Sequence, residues 1–228
     1  MSRPADACPP LPASGARRAA LVDAAVLAAV WAAFAALVGV GGDFPLNDDW
    51  SYAAAVRGLV EQHTFRPTDW TSMPLFVHAL WGALFCAPFG CSHEALRVST
   101  LAAAFVGLLA ARALALELGA NRAQARFAAL LLAANPLWLP LSCTFMTDVP
   151  FTAQATLALW LFARAVRRGE RSAAVLGTIV AVVATLNRQL GLFVAVGWAA
   201  GLFRARAGSL RTAVAVAAPL VACAAALV

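Results

Sequence analysis

The chain has 228 residues, of which 62% are hydrophobic and only 12% are charged, against roughly 25% charged residues in an average soluble domain. Its formal net charge is +6, all 17 basic residues are arginine, and its mean hydropathy is +0.79. The arginines cluster between long apolar runs, without the basic and aromatic stripe of a nucleic-acid surface. The composition excludes a soluble domain and a nucleic-acid partner, and it indicates an all-α, polytopic bundle of transmembrane helices.

The first predicted membrane helix runs from Ala19 to Val40 and carries one charged residue, Asp23, near its start. A helix of roughly 22 residues rises ~33 Å, which is enough to cross a hydrocarbon core of ~30 Å. Residues 1–18 are rich in proline, alanine and serine and are predicted to be a disordered cytoplasmic tail. The remainder, 19–228, is predicted to form one transmembrane domain.

Seven further apolar runs follow the first, and arginine clusters separate several of them. Short arginine-rich loops stay in the cytoplasm, so an even number of crossings is required between Arg18 and Arg122, although three apolar runs lie there. The shortest of the three is Pro74–Gly90, which is predicted to lie along the outer interface instead of crossing. The seven runs are Pro74–Gly90, Val98–Leu118, Phe127–Met146, Val149–Val166, Ala173–Leu186, Leu190–Phe203 and Thr212–Val228.

This topology leaves residues 41–97 as one long extracytoplasmic loop. The loop carries two predicted interfacial helices, Pro74–Gly90 and roughly 49–63, the second indicated by apolar residues at helical spacing. The N-terminus is predicted to be cytoplasmic, and the protein is predicted to reside in a bacterial inner membrane, in contact with membrane lipids.

Two acidic segments emerge on the same side of the membrane in this scheme. Asp48 and Asp49 follow the first span, and Asp148 follows the third, so we predict that these distant residues are partners in one site. Charge at the membrane boundary is more often functional than incidental. The polar segment 187–189, which contains Arg188, is predicted to line a cavity between two short helices.

The five cysteines form neither a Cys-x-x-Cys pair nor a Cys/His zinc pattern. Cys86 and Cys91 lie in the predicted extracytoplasmic loop, where a disulfide is chemically allowed. Two separate buried thiols are the favoured interpretation. The histidines also lack metal-ligand spacing, and each is interpreted as a polar residue at the interface; they are His63, His78 and His93.

Four short motifs together resemble a known family. Asp48–Tyr52 (DDWSY) matches an Asp-Asp/Glu-x-x-Tyr pattern after the first span, and Pro74-Leu75 matches a Pro-Leu element. Phe89–Arg97 is similar to a Phe-Gly-x-Ser-x-x-x-x-Arg element, and Thr147–Pro150 (TDVP) is similar to a second acidic loop. In order and spacing they resemble the GT-C membrane glycosyltransferases, in the branch of the protein mannosyltransferases and lipid A aminoarabinose transferases.

The resemblance implies an inverting transfer of a sugar from a polyprenyl-phosphate donor to a lipid, glycan or protein acceptor on the outer face. Asp48 matches the general base, which takes the proton of the attacking hydroxyl. Asp49 matches a neighbouring acid that binds acceptor, orients Asp48 or ligates a divalent cation. Asp148 matches the second acid, which binds acceptor or metal. Arg97 and Arg188 match basic positions that bind the donor phosphate.

Other interpretations stay open at the level of the sequence. Asn47–Asp49 are also good helix N-caps, so the acidic pair has a structural explanation. A transporter or channel subunit would use Arg188 within the membrane as part of its pathway. The last apolar run reaches Val228 without a polar tail, which indicates the N-terminal portion of a larger enzyme or an inactive fragment.

Overall fold

The computed structural model describes residues 13–205 and 210–227, and within them it contains ten α-helices, one 3-10 turn and no β-strand. This confirms the all-α class. The helices are α1 (Ala13–Val38), α2 (Asp49–Gln62), α3 (Phe76–Phe89), α4 (His93–Glu117), α5 (Arg122–Ala133), α6 (Trp138–Ser142), α7 (Asp148–Arg168), α8 (Arg171–Asn187), α9 (Leu192–Ala205) and α10 (Leu210–Ala225), and the 3-10 turn is Gln189–Gly191.

Among the described residues, three helical segments are long and apolar enough to cross a membrane: residues 17–38 of α1, and the whole of α4 and α7. The shortest of them has 21 residues and rises ~32 Å, which exceeds a hydrocarbon core of ~30 Å. α4 and α7 approach closely because Gly107 has no side chain. A Cβ at Gly107 would lie 3.0 Å from the Cβ of Ala153 on α7.

Helix α1 begins at Ala13, inside the segment predicted to be the cytoplasmic tail, and residues 1–12 of that segment lie outside the described residues. The indole N–H of Trp31 donates to the carbonyl of Leu101 at 3.1 Å, which joins α1 to α4. Helix α1 ends at Val38, and Gly39 follows with a φ of +74°. The chain therefore leaves the first span two residues earlier than predicted.

The prediction of one helix over Phe127–Met146 is wrong, because the structure divides this run into α5 and α6. Pro136 has no backbone N–H and disfavours helical geometry at the residue before it. The side chain of Asn135 accepts hydrogen bonds from the backbone N–H groups of Leu137 at 2.9 Å and Trp138 at 3.1 Å. Asn135 therefore starts α6 where α5 has ended.

Helix α8 runs back along α7 and ends level with its start. The two helices are joined by Gly169, which takes a φ of +69°, and Glu170. Arg188 follows α8 directly and forms an ion pair with Asp148, the first residue of α7. Although α8 has only 17 residues, it covers the length of a candidate span, and Arg188 lies at the α7 terminus.

Helices α2 and α3, which follow α1 in the chain, pack against each other, and α3 also packs against α4. Tyr52 and Val56, from the predicted apolar stripe of α2, are buried in one core cluster with residues of α3. Helix α3 begins at Phe76 instead of Pro74, because Leu75 takes a left-handed φ of +58°. Its 14 residues rise ~21 Å, which is too short to cross the hydrocarbon core as a straight helix.

Cys86 and Cys91 form a disulfide, so the prediction of two separate thiols is wrong. Gly90 ends α3 with a φ of +83° and turns the chain back. The two Cα atoms are consequently 4.4 Å apart, which is within disulfide range. The bridge fixes the end of α3 next to Ser92, whose hydroxyl accepts from the N–H of Ala95 and caps α4.

The opposite end of the bundle is rich in arginine. Asp23 of α1 is fully buried there and pairs with Arg112 of α4, with Arg122 of α5 at 2.8 Å and with Arg126 at 3.6 Å. One carboxylate therefore joins three helices. This end lies a full length of α4 and α7 away from Asp148.

Candidate active site

Arg97 organises the loop between α1 and the acidic pair. Its side chain is 1% exposed, and Nη1 donates to the carbonyls of Val40 at 3.2 Å, Gly41 at 3.4 Å and Gly42 at 2.9 Å. Nη2 donates to the carbonyl of Phe44, and the guanidinium lies over the Phe44 ring, 4.8 Å from its centroid. The role of Arg97 in donor-phosphate binding stays a prediction. What the geometry shows is a buried cation that shapes the 40–44 loop.

Asp49 is a buried anchor. It is 0% exposed, its Oδ1 accepts from the backbone N–H of Leu46 at 2.7 Å, and its Oδ2 accepts from that of Phe145 at 3.3 Å. Burial raises the pKa of the Asp49 carboxyl, against the two N–H groups, which favour its ionised form. Because Phe145 lies just before α7, Asp49 ties the start of α2 to the start of α7.

Asp48 is in a different environment, although it is the adjacent residue. It occupies the N-cap position of α2, but its side chain makes no capping hydrogen bond. It is partly exposed, and no other described side chain forms an ion pair with it. The capping explanation therefore does not account for Asp48, which presents a carboxylate beside the positive end of a helix.

Asp148 and Arg188 are brought together as an ion pair. Asp148 is the first residue of α7, and Arg188 lies in the extended link after α8. Arg188 uses Nη1 for Asp148, and its guanidinium carbon lies 5.9 Å from the centroid of the Phe151 ring. A guanidinium has five N–H donors, so Arg188 retains donors that point to no described partner.

Tyr52 lies among these charges, although the sequence alone marked it only as the last residue of the DDWSY motif. The side chain is buried, and burial is the main reason that the pKa of its phenol is raised. The charges of Asp48, Arg188 and Asp148 also act on this phenol. The structure therefore gathers Asp48, Asp148 and Arg188 around Tyr52 at one end of the bundle, as expected if the two acidic segments are partners.

His78 of α3 packs against Phe145 and Tyr52, next to the charged cluster. It is 1% exposed, so its interpretation as an interfacial residue is wrong. Nε2 lies 3.3 Å from the carbonyl of Phe145 and donates to it, and the imidazole stacks on the Phe145 ring at 4.0 Å between centroids. The ring also meets Tyr52 edge-on at 6.3 Å. Burial lowers the pKa of His78 from 6.5 to about 4, so the ring is neutral near pH 7.

One cavity is lined by Gln189, the residue after Arg188, and a second by Asp148. The first, of about 550 Å³, is lined by residues 71–74, by Gln189 and by residues 226 and 227, and its size lies in the range of roughly 300–1,000 Å³ of small-molecule sites. The second, of about 160 Å³, is lined by Asp148 together with residues of α5, α6 and α7. The Gln189 side chain closes one edge by donating to the carbonyl of Ser72 at 2.9 Å.

A divalent cation fits this cluster poorly. Within the described residues, no three His, Cys, Asp or Glu side chains converge in a way that would hold a metal. Asp148 is already neutralised by Arg188, and Asp49 is occupied by two backbone N–H groups. The described cluster therefore offers the Asp48 carboxylate and the N–H donors of Arg188 that Asp148 does not use.

Comparison with known proteins decides the class of this chain. The profile of a family described as dolichyl-phosphate-mannose-protein mannosyltransferase matches residues 71–228, more than two thirds of the sequence. The chain belongs to this mannosyltransferase family. The matched part of the mannosyltransferase chain contains Arg97, Asp148 and Arg188 and begins after Asp48 and Asp49. No curated protein and no solved structure matches the chain.

Membership of the mannosyltransferase family confirms the resemblance seen in the short motifs. The chain is a membrane glycosyltransferase of the GT-C type, which favours that interpretation over a transporter or channel subunit. Tyr52 was visible in the DDWSY motif, but His78 had no signal beyond being a lone histidine in an apolar helix. Its contact with Phe145 depends on tertiary packing across 67 residues.

Proposed function

We propose that this chain carries the site that transfers a sugar from a polyprenyl-phosphate donor to a hydroxyl acceptor on the extracytoplasmic face, with inversion at the anomeric carbon. The observation that carries the proposal is the contrast within the acidic pair. Asp49 is buried and held by backbone, whereas Asp48 is partly exposed and lies in the same charged cluster as Arg188. A carboxylate that forms no ion pair with a described residue and a guanidinium with unused N–H donors are what this transfer needs.

Asp48 is the proposed general base. The acceptor oxygen attacks the anomeric carbon from the face opposite the phosphate, the new C–O bond forms, and the bond from that carbon to the phosphate oxygen breaks. The acceptor proton passes to Asp48, and the electron pair leaves with the lipid phosphate. For this transfer the carboxylate has to come within roughly 2.6–3.2 Å of the hydroxyl. The partial exposure of Asp48 allows that approach.

Arg188 is the proposed partner of the departing phosphate. Charge develops on that phosphate as the bond breaks, and a positioned guanidinium stabilises it. Asp148 holds Arg188 at the start of α7 through one nitrogen only, which leaves the others for phosphate oxygens. Asp148 is itself 40% exposed in its side chain, so it also suits the binding of an acceptor hydroxyl.

Arg97 acts in this proposal as a positioning residue. Its guanidinium is enclosed by the carbonyls of the 40–44 loop. Arg97 therefore does not contact the donor and acts by fixing the loop that precedes Asp48. Asp49 is a positioning residue for the same reason, since both of its oxygens accept backbone N–H groups. No step of the proposed reaction requires a metal ion.

The disulfide and the arginines support an extracytoplasmic site. Disulfides form and persist in oxidising compartments, and Cys86–Cys91 lies at the same end of α4 as the 40–44 loop. Arginine-rich loops favour the cytoplasm, and the cluster around Asp23 is at the far end. Both observations favour the same orientation, with the N-terminus inside.

The test is transfer of labelled mannose from polyprenyl-phosphate mannose by the full chain in proteoliposomes, because the family description names that sugar. Asp48→Asn keeps the shape of the side chain and removes its basicity, so transfer should fall by ~10²-fold or more, the range typical of a lost general base. Asp69→Asn, at an exposed loop aspartate, is the matched control and should transfer normally. Wild-type transfer by Asp48→Asn would overturn the proposal.

A further inference from the structure

An apolar groove lies near the arginine-rich end of the bundle, away from the candidate active site. It has a volume of about 470 Å³ and runs between the end of α4, the second half of α7 and the middle of α9. Its rim includes Leu118 and Leu159, which are 63% and 42% exposed. Exposed leucines around a groove between membrane helices suit contact with the acyl chains of a bilayer.

The α9 wall of the groove is made of small residues. A Cβ added at Gly197 or Gly201 would meet no described atom within 4 Å, in contrast to Gly107, which packs tightly. Trp198 forms the neighbouring surface and stacks on Phe162 at 4.5 Å between centroids. These two glycines therefore leave room that the described residues of this chain do not fill.

Arg167 gives the groove a charged mouth. It lines the groove at the end of α7 and is 53% exposed in its side chain. The nearest carboxylate, Glu117, is held by Arg168 through two hydrogen bonds of 3.1 and 2.7 Å, and Arg167 reaches it only at 4.0 Å. Two guanidinium groups share one carboxylate, so the mouth has a surplus positive charge.

The dimensions match one leaflet. From Leu159 to Arg167 the helix rises ~12 Å at ~1.5 Å per residue, and half of a ~30 Å hydrocarbon core is ~15 Å. A chain lying along the groove with its polar group at Arg167 would thus have that group at the membrane boundary. A zwitterionic lipid has acyl chains that would fill the groove equally well, but its net charge is zero and would leave the surplus positive charge of the mouth uncompensated.

We propose that this groove binds one acyl chain of an anionic phospholipid from the leaflet at the arginine-rich end, with the lipid phosphate paired to Arg167. The apolar walls hold the chain, and the surplus charge of Arg167 selects the headgroup. An anionic headgroup gains ~1 kcal/mol from each nearby arginine, which is about fivefold in affinity. This site is independent of the sugar-transfer chemistry at the other end of the bundle.

The experiment measures tryptophan fluorescence of the full chain in nanodiscs. The nanodiscs contain either phosphatidylglycerol or phosphatidylcholine with brominated acyl chains, because bromine quenches tryptophans that lie close to it. The part of the quenching that is lost in Trp198→Phe comes from Trp198 and therefore measures lipid bound in the groove. We expect stronger quenching of Trp198 by brominated phosphatidylglycerol, weakened about fivefold in apparent affinity by Arg167→Ala. Arg171→Ala removes an equal charge outside the groove and should leave quenching unchanged.

A second pair of variants tests the apolar part. Gly201→Leu should fill the groove and reduce Trp198 quenching at least fivefold at an unchanged melting temperature, because its Cβ meets open space. Ala200→Leu, at an exposed position outside the groove lining, should behave like the wild type. Equal quenching by the two lipids, or full quenching in Gly201→Leu, would overturn the proposal. A change in oligomeric state of Gly201→Leu without loss of bound lipid would instead assign the groove to another helix.

Discussion

The backbone N–H of Phe145 lies 3.3 Å from Oδ2 of Asp49 and donates to it across 96 residues of chain. The carbonyl of the same residue accepts from Nε2 of His78. Phe145 therefore uses its N–H and its C=O to join α2, α3 and the segment before α7. These buried hydrogen bonds of Phe145, together with the membrane, therefore set the distance between Asp48 and Asp148.

Asp49→Ala should destabilise the protein much more than Asp48→Ala. It leaves the N–H groups of Leu46 and Phe145 without their acceptor, and the loss at the buried Phe145 donor alone costs ~1–3 kcal/mol. Asp48 makes no capping bond, so its replacement should leave the unfolding temperature near that of the wild type. Thermal unfolding in detergent measures both, and equal shifts in the two variants would contradict the assignment of Asp49 as the anchor.

Arg97→Lys should loosen the 40–44 loop even though it keeps the charge. A lysine has one compact ammonium group and no planar fork, so it loses part of the set of carbonyl contacts made by Nη1 and Nη2. We expect faster chymotrypsin cleavage after Leu46, which directly follows the loop and is exposed. Arg66→Lys, at an exposed loop position, is the control. Unchanged cleavage in Arg97→Lys would show that the loop is held by other contacts.

His78 should make the fold sensitive to acid. Burial lowers its pKa from 6.5 to about 4, so between these values the unfolded chain binds a proton that the folded chain does not. Stability should fall as the pH drops below 6.5, by about 3 kcal/mol in all by pH 4. The change in melting temperature between pH 7 and pH 4.5 should shrink in His78→Gln. It should persist in His63→Gln, at an exposed position; equal changes in both would contradict the burial of a neutral His78.

Loss of the Cys86–Cys91 bridge should lower the free energy of unfolding by about 2 kcal/mol, the loop-entropy value for so short a loop. The measurement is thermal unfolding of Cys86→Ser with Cys91→Ser against the wild type. The bridge also reports sidedness. In intact cells a membrane-impermeant maleimide should label the two cysteines only after reduction, and labelling without reduction would contradict an oxidised pair.

The sequence predicted the elements that depend on local pattern. The apolar stripe over 49–63 corresponds to α2, which ends at Gln62, and the long apolar runs correspond to α4 and α7. It also placed the two acidic segments at one end of the bundle, through the parity of arginine clusters. Hydropathy and charge bias are properties of whole segments, so they predict membrane helices and their orientation without any knowledge of tertiary contacts.

The errors come from single residues whose conformation depends on their surroundings. A proline at 136 divided a run that hydropathy averaged into one helix, and the left-handed φ of Leu75 delayed α3. The pairing of Cys86 with Cys91 required the turn at Gly90. The enclosure of Arg97 could not be predicted, because its partners are backbone carbonyls more than 50 residues away.

The ion cluster at Asp23 has a consequence for synthesis. Asp23 is made early, but its partners Arg112 and Arg122 follow 89 and 99 residues later. At a synthesis rate of ~5–20 residues per second, the Asp23 carboxylate has no arginine partner from α4 or α5 for about 5–20 s after it is made. An aspartate within a membrane helix is costly until it is paired. The final position of α1 is therefore settled only when α4 and α5 arrive, although α1 is made before both of them.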